Sequence, residues 1–175
     1  MQTFVVSAAL GAALALGGSH HLPFRAPAAV VSGRSHIPES PMTMHARGTF
    51  EVQIAPLPAD AYADGATMGR MTIDKQFSGD LVGTGKGQML TGMGGTKGSA
   101  AYVAMERVTG SLHGRSGSFI LHHTGVMEQG VQTLRISVAP DSGTGDLTGI
   151  AGTLMITIEG KVHSYDFEYT LPSAP

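Results

Sequence analysis

Six side chains in this sequence could share chemistry inside one interior: Lys75, Tyr102, Glu106, His123, His163 and Tyr165. A glutamate taken out of water has its pKa raised, and with a histidine beside it the pair can exchange protons near neutral pH. Phenols and an ammonium around such a pair could instead orient a bound, mostly apolar molecule. The same groups could also form a purely structural network, because buried polar groups need hydrogen-bond partners. All three roles stay open at the level of sequence.

Other chemistries find little support. His122 and His123 precede Glu128, but neighbours on a strand point to opposite faces, so both imidazoles cannot hold one ion from inside, and no metal site is expected. The string Gly83-Thr84-Gly85-Lys86-Gly87 lacks the spacing and the Ser or Thr of a phosphate loop and opens no helix; it reads as a glycine-lined strand. No G-x-S-x-G elbow occurs, and the absence of cysteine removes thiolate nucleophiles and disulfides. The formal net charge is -2 and the basic residues are scattered, so no stripe exists to neutralise phosphates and nucleic acid is not an expected partner. No cofactor is implied.

What must position the six residues is a set of strands. Phe50, Val52 and Ile54 alternate with Thr49, Glu51 and Gln53, the period of a half-buried strand. Met71, Ile73 and Phe77 form a second apolar face, and Lys75 falls unexpectedly on it. Gly79-Asp80 turns into a third strand, 81–90, whose one face carries Gly83, Gly85 and Gly87. Glycine inside a strand marks bending or the close approach of another group. A fourth strand, 99–112, places Tyr102 and Glu106 on one face, with Val103 and Met105 on the other. Gly114-Arg115-Ser116-Gly117 is expected to turn into a fifth, 118–127, where Phe119 and Leu121 carry His123 inward. Gln129-Gly130, then Pro140-Asp141-Ser142-Gly143, then Glu159-Gly160-Lys161 bound three more strands. On the last of these His163, Tyr165, Phe167 and Tyr169 share a face. About eight strands joined by short turns predict an antiparallel up-and-down order that can close on itself. The ten methionines suit either a core or an adaptable pocket.

Composition agrees with an all-β chain. Charged residues make up 14% of the 175, against about 25% in an average domain, too few for the wet faces of long helices. The 25 glycines suit tight turns and close strands. Residues 1–41 stand apart as an extension rich in proline. The apolar run 4–16, with Ala26-Pro27-Ala28 as a cleavage-like site, could be an export signal within 1–28; an incidental extension of a cytoplasmic protein is the other reading. The run is too short to span a bilayer comfortably. Residues 42–175 are expected to form a single barrel domain.

Several motifs occur together in order: Ile73-Asp74-Lys75, Phe77-Ser78-Gly79-Asp80-Leu81, Tyr102-Val103-Ala104 with Glu106, and Gly114-Arg115-Ser116-Gly117-Ser118-Phe119 with His123. Pro140-Asp141-Ser142-Gly143-Thr144-Gly145 and Tyr165-Asp166-Phe167-Glu168-Tyr169 complete the series. Over about residues 44–171 the chain thereby resembles a bacterial family known as domain of unknown function 3224. That family is similar in fold to the allene oxide cyclase barrel, which implies an eight-stranded antiparallel barrel with an internal cavity. The cyclases' cavity glutamate and cysteine have no matched positions here, so no catalytic residue is carried over. The expected fold is therefore a closed antiparallel β-barrel. Its expected role is to bind a small, largely apolar molecule. The alternatives are an isomerase, cyclase or lyase using Glu106 and His123, and a structural homo-oligomer.

Overall fold

Period-two alternation becomes eight strands in the computed structural model, which describes residues 42–58 and 68–172. They are β1 (Met44–Pro56), β2 (Met68–Gly79), β3 (Leu81–Met93), β4 (Ala100–Leu112), β5 (Arg115–Glu128), β6 (Val131–Val138), β7 (Ala151–Glu159) and β8 (Val162–Thr170). Each pairs antiparallel with the next, and β8 returns to β1, so the sheet closes into a barrel. Closure gives every strand a neighbour on both sides, so no strand is an edge strand. The stretch 1–41, with its signal-like run, lies outside the described residues. No helix among the described residues is long and apolar enough to cross a membrane.

The turns follow backbone demands. The β4–β5 hairpin turns on two residues, His113 (φ 47°) and Gly114 (φ 80°), rather than across 114–117 as the sequence suggested. Two successive positive φ values make the primed turn whose twist matches the strands, and β5 can then begin at Arg115. Gln129 (φ 50°) and Gly130 (φ 92°) repeat the device between β5 and β6. The Pro140 segment is not a tight hairpin. It opens a connection, 139–150, that includes the 3-10 turn Gly145–Leu147.

That connection replaces half a strand. β6 pairs with β5 only over Val131–Val138. Beyond it, Ala139 N donates to Ile120 O (2.8 Å), Ile120 N donates to Ser142 Oγ (3.0 Å) and Thr144 N donates to Ser118 O (2.8 Å). Leu147 and Ile150 are buried there and seal one end of the barrel.

The core fills that sealed half. Phe119 stacks on Phe167 (centroids 5.5 Å apart) and Phe167 on Tyr169 (5.3 Å), with Leu81, Val108, Leu112 and Leu121 fully buried around them. Toward the other end, where β1, β3, β5 and β7 finish, inward side chains are no longer covered: Ile54 is 50% exposed and Ile158 58%. One seam is also different in kind. β6 and β7 share a single paired position, Ser137 with Thr153, whereas β7 and β8 pair along their whole length.

Candidate functional site

The inner faces deliver Lys75 from β2, Glu106 from β4 and His123 from β5 to one level of the barrel. Lys75 Nζ donates to Glu106 Oε2 at 2.8 Å, and His123 Nε2 stands 3.1 Å from the same oxygen. Their side chains are 6%, 0% and 4% exposed respectively. The lysine that looked misplaced on an apolar face is thus paired, as a buried cation must be. Its ammonium also lies 4.8 Å from the ring centre of Phe50 and 5.7 Å from that of Phe77, within cation–π range.

The pair reaches across a strand. β3 runs between β2 and β4, with Lys75 opposite Gly85 and Gly87 opposite Glu106. A Cβ at Gly85 would collide with Glu106 Oε1, so glycine there makes the space in which the carboxylate lies. This gives one of the three β3 glycines a specific job.

Two polar atoms of this cluster have no hydrogen-bond partner, Glu106 Oε1 and His123 Nε2. The imidazole nitrogen is within reach of the carboxylate, but the pair does not meet hydrogen-bond geometry as the side chains stand. Burial is the largest single influence on Glu106 and raises its pKa. The adjoining imidazole and the ammonium outweigh it together and hold the carboxyl below its ordinary value.

Tyr102 lies nearer the open end of the same face of β4. Its ring covers Gly125 of β5, where a Cβ would collide with it. Burial, then the negative charge of Glu106, raise its phenol pKa, so it stays a neutral hydrogen-bonding group. Tyr102 and Gly125 also line a cup of about 260 Å³ at the open end, with Ile54, Met89, Met93 and Met127 as its apolar wall and Thr91 and Gln132 as polar points. The described residues around the cup carry no charge.

The other two candidates are not in this group. The Tyr165 hydroxyl accepts from Leu81 N at 2.9 Å and donates to Ser78 O at 3.2 Å, pinning β8 to the β2–β3 turn at the sealed end. His163 is half-buried, its ring 5.3 Å from that of Phe50, so one aromatic separates it from Lys75. Sequence reasoning missed the cup's wall. Its residues come from the ends of several strands and read individually as ordinary inward positions; the abundance of methionine was the one available signal.

A broader depression of about 540 Å³ lies on the outer wall, over Lys86, Gln88, Met105 and Arg107. Its side chains are exposed and it has no enclosing rim, so the cup is the better candidate. Val103 and Met105 do point outward, 52% and 53% exposed. Among the described residues no three His, Cys, Asp or Glu side chains gather as metal ligands.

Fold and site together define a small antiparallel barrel with a buried Lys–Glu–His cluster beneath an apolar cup. A family model described as protein of unknown function (DUF3224) matches residues 46–169, and the chain belongs to that family. It is similar to the crystal structure of a DUF3224 protein of unknown function from Shewanella oneidensis MR-1. The two are 43% identical, with a TM-score of 0.71, over 76% of this chain and 100% of the other. No curated protein matches the chain.

Proposed function

We propose that the barrel binds a small, neutral, largely apolar molecule in the cup at its open end. The observation that carries this is the cup's described lining: thioether and aliphatic side chains, a tyrosine, Thr91 and Gln132, with no charged side chain among them. Such a surface rewards burial of apolar area and offers few polar contacts for orientation, the usual character of a ligand pocket. Methionine walls adapt to shape. Lys75, the buried cation of the cluster, is already paired to Glu106, so it is not free to serve as counter-charge to a carboxylate ligand. A similarity in fold between this family and the cavity-bearing allene oxide cyclase barrel would accord with this reading and supplies no residue roles.

Native mass spectrometry of the full chain, purified without added ligand, tests it. The expected result is a small co-purifying mass that leaves on denaturation. A bare protein mass, together with no binding of the neutral dye N-phenyl-1-naphthylamine, would overturn the reading.

One observation favours a second reading, an isomerase, cyclase or lyase using Glu106 and His123: both have a buried polar atom without a partner. Against it, the His123 imidazole and the Lys75 ammonium hold the Glu106 carboxyl below its ordinary pKa, which makes it a weak base, and no acid or base is among the described residues lining the cup. Co-purification separates the two readings. A binder carries the same mass in wild type and in Glu106→Gln, whereas an enzyme deprived of its base accumulates a different one. The outward Val103 and Met105 would suit contact between copies of the chain, which sedimentation would reveal.

A further inference from the structure

The β6–β7 seam is the place where the barrel wall is incomplete. After Ser137 and Thr153 the antiparallel register would bring Ile136 opposite Leu154, Arg135 opposite Met155 and, two residues further, Thr133 opposite Thr157, yet none of these pairs forms. The strands part toward the open end and leave a slit between Leu134 on one side and Leu154, Ile156 and Ile158 on the other. By alternation Leu134, Ile156 and Ile158 are inward residues, on the same faces as the buried Ile136 and Leu154, but the missing wall leaves them partly or largely in water. Gln132 borders both the slit and the cup, so the two spaces lie side by side with that one side chain common to them.

We infer that the ligand is an elongated, unbranched molecule whose aliphatic tail leaves the cup sideways through the β6–β7 slit. This rests on the proposal that the cup binds an apolar molecule, and adds its shape. The tail is the occupant because the slit adjoins the cup across Gln132 and the described residues lining both are uncharged, so none of them offers an ionic anchor. Burying Leu134, Ile156 and Ile158 against a hydrocarbon removes apolar surface from water on both partners. A cup of about 260 Å³ is just below the usual range for ligand pockets, and a side exit lets a longer chain use it.

The test measures n-alkanols from hexanol to dodecanol by displacement of N-phenyl-1-naphthylamine from the full chain. Each added methylene buried in the slit is worth about 0.8 kcal/mol, roughly fourfold in affinity. The chain has no cysteine, so Arg135→Cys with Met155→Cys introduces one defined pair that, once oxidised, closes the seam in register. Ile156→Trp, which fills the slit from its inner side, is the second variant where the disulfide does not close. Thermal unfolding establishes that each variant is folded.

The expected result is steep gain with chain length in wild type, loss of that gain in the closed variants, unchanged hexanol binding, and recovery when the disulfide is reduced. An equal gain with length in open and closed proteins overturns the slit as the tail's path while leaving the cup intact. Failure of dye and hexanol alike to bind wild type overturns the cup and the tail together. A dimer that dissociates on closure, with no change in the alkanol series, assigns the slit to a strand of a second copy and also overturns the inference.

Discussion

The two halves of this barrel are built from the same strands on opposite principles. Below the Lys75–Glu106–His123 level, aromatic rings and leucines fill the interior, and the 139–150 connection folds in to seal the end. Above it, methionine and isoleucine line a space they do not fill, and the seam between β6 and β7 opens. Close packing supplies stability in one half. In the other, unfilled volume is available to a partner molecule, at the expense of dispersion contacts the protein could have made with itself. The charged cluster lies on the boundary.

Substitutions can break or sharpen that contrast. The largest effects belong to the sealed half and its boundary. Phe119→Ala should lose about 3–5 kcal/mol by urea unfolding, because its fully buried ring stacks on Phe167 and a cavity would remain. Glu106→Ala should lose a similar amount, about 3–5 kcal/mol, by leaving the Lys75 charge buried and unpaired. Adding Lys75→Met should then restore much of the loss; a double variant as weak as the single would show that the ion pair is not the source. Next comes Gly85→Ala, expected to cost about 1–3 kcal/mol because its methyl group takes the space of the carboxylate. In the Glu106→Ala background that cost should largely vanish.

Acidity probes the boundary directly. The folded pKa of Glu106 lies below its unfolded value of about 4.3, so its contribution to stability is present above that pH and lost as pH falls through the folded pKa. Stability curves of wild type and Glu106→Gln should therefore converge as pH drops below about 4. Parallel curves would count against an ionised Glu106. The smallest effect belongs to the mouth. Met127→Leu should change stability by less than about 0.5 kcal/mol while altering affinity for a neutral dye. If Met127→Leu proved as damaging as Phe119→Ala, the contrast between the halves would be wrong.

Much of this was readable from the residues. Alternation put His123 on the inner face of β5 and grouped Tyr102 with Glu106 on one face of β4, opposite Val103 and Met105, but it did not say which face of β4 points inward; in the structure Glu106 is buried and Val103 and Met105 are exposed. It also exposed Lys75 as an anomaly without resolving it. The resolution needs three strands at once: a cation on β2, a carboxylate on β4 and a bare Gly85 between them on β3, a relation that no local pattern encodes. Tyr165 could not be separated from the cluster by pattern, because inward orientation says nothing about level along the barrel, and its hydroxyl serves the sealed end. The cup was hidden for a related reason. It is bounded by what is missing at the ends of several strands, and sequence reports side chains that are present. The early end of β6 was signalled by Pro140, but the parting of β6 from β7 toward the mouth was not.

The seam between β1 and β8 carries a consequence for assembly. Every other seam joins strands consecutive in the chain, whereas this one brings together residues as distant as Arg47 and Asp166, whose side chains meet at 2.8 Å. Hairpins can zip locally in microseconds, but the ring is completed only when the two ends of the domain find each other, and that search carries the entropy of a long loop. Folding of this barrel should accordingly be slow, in the millisecond-to-second range of chains dominated by distant contacts. Weakening the β1–β8 pairing should show in the refolding arm of a stopped-flow chevron; an effect confined to unfolding would mean that the ring closes after the barrier has been crossed.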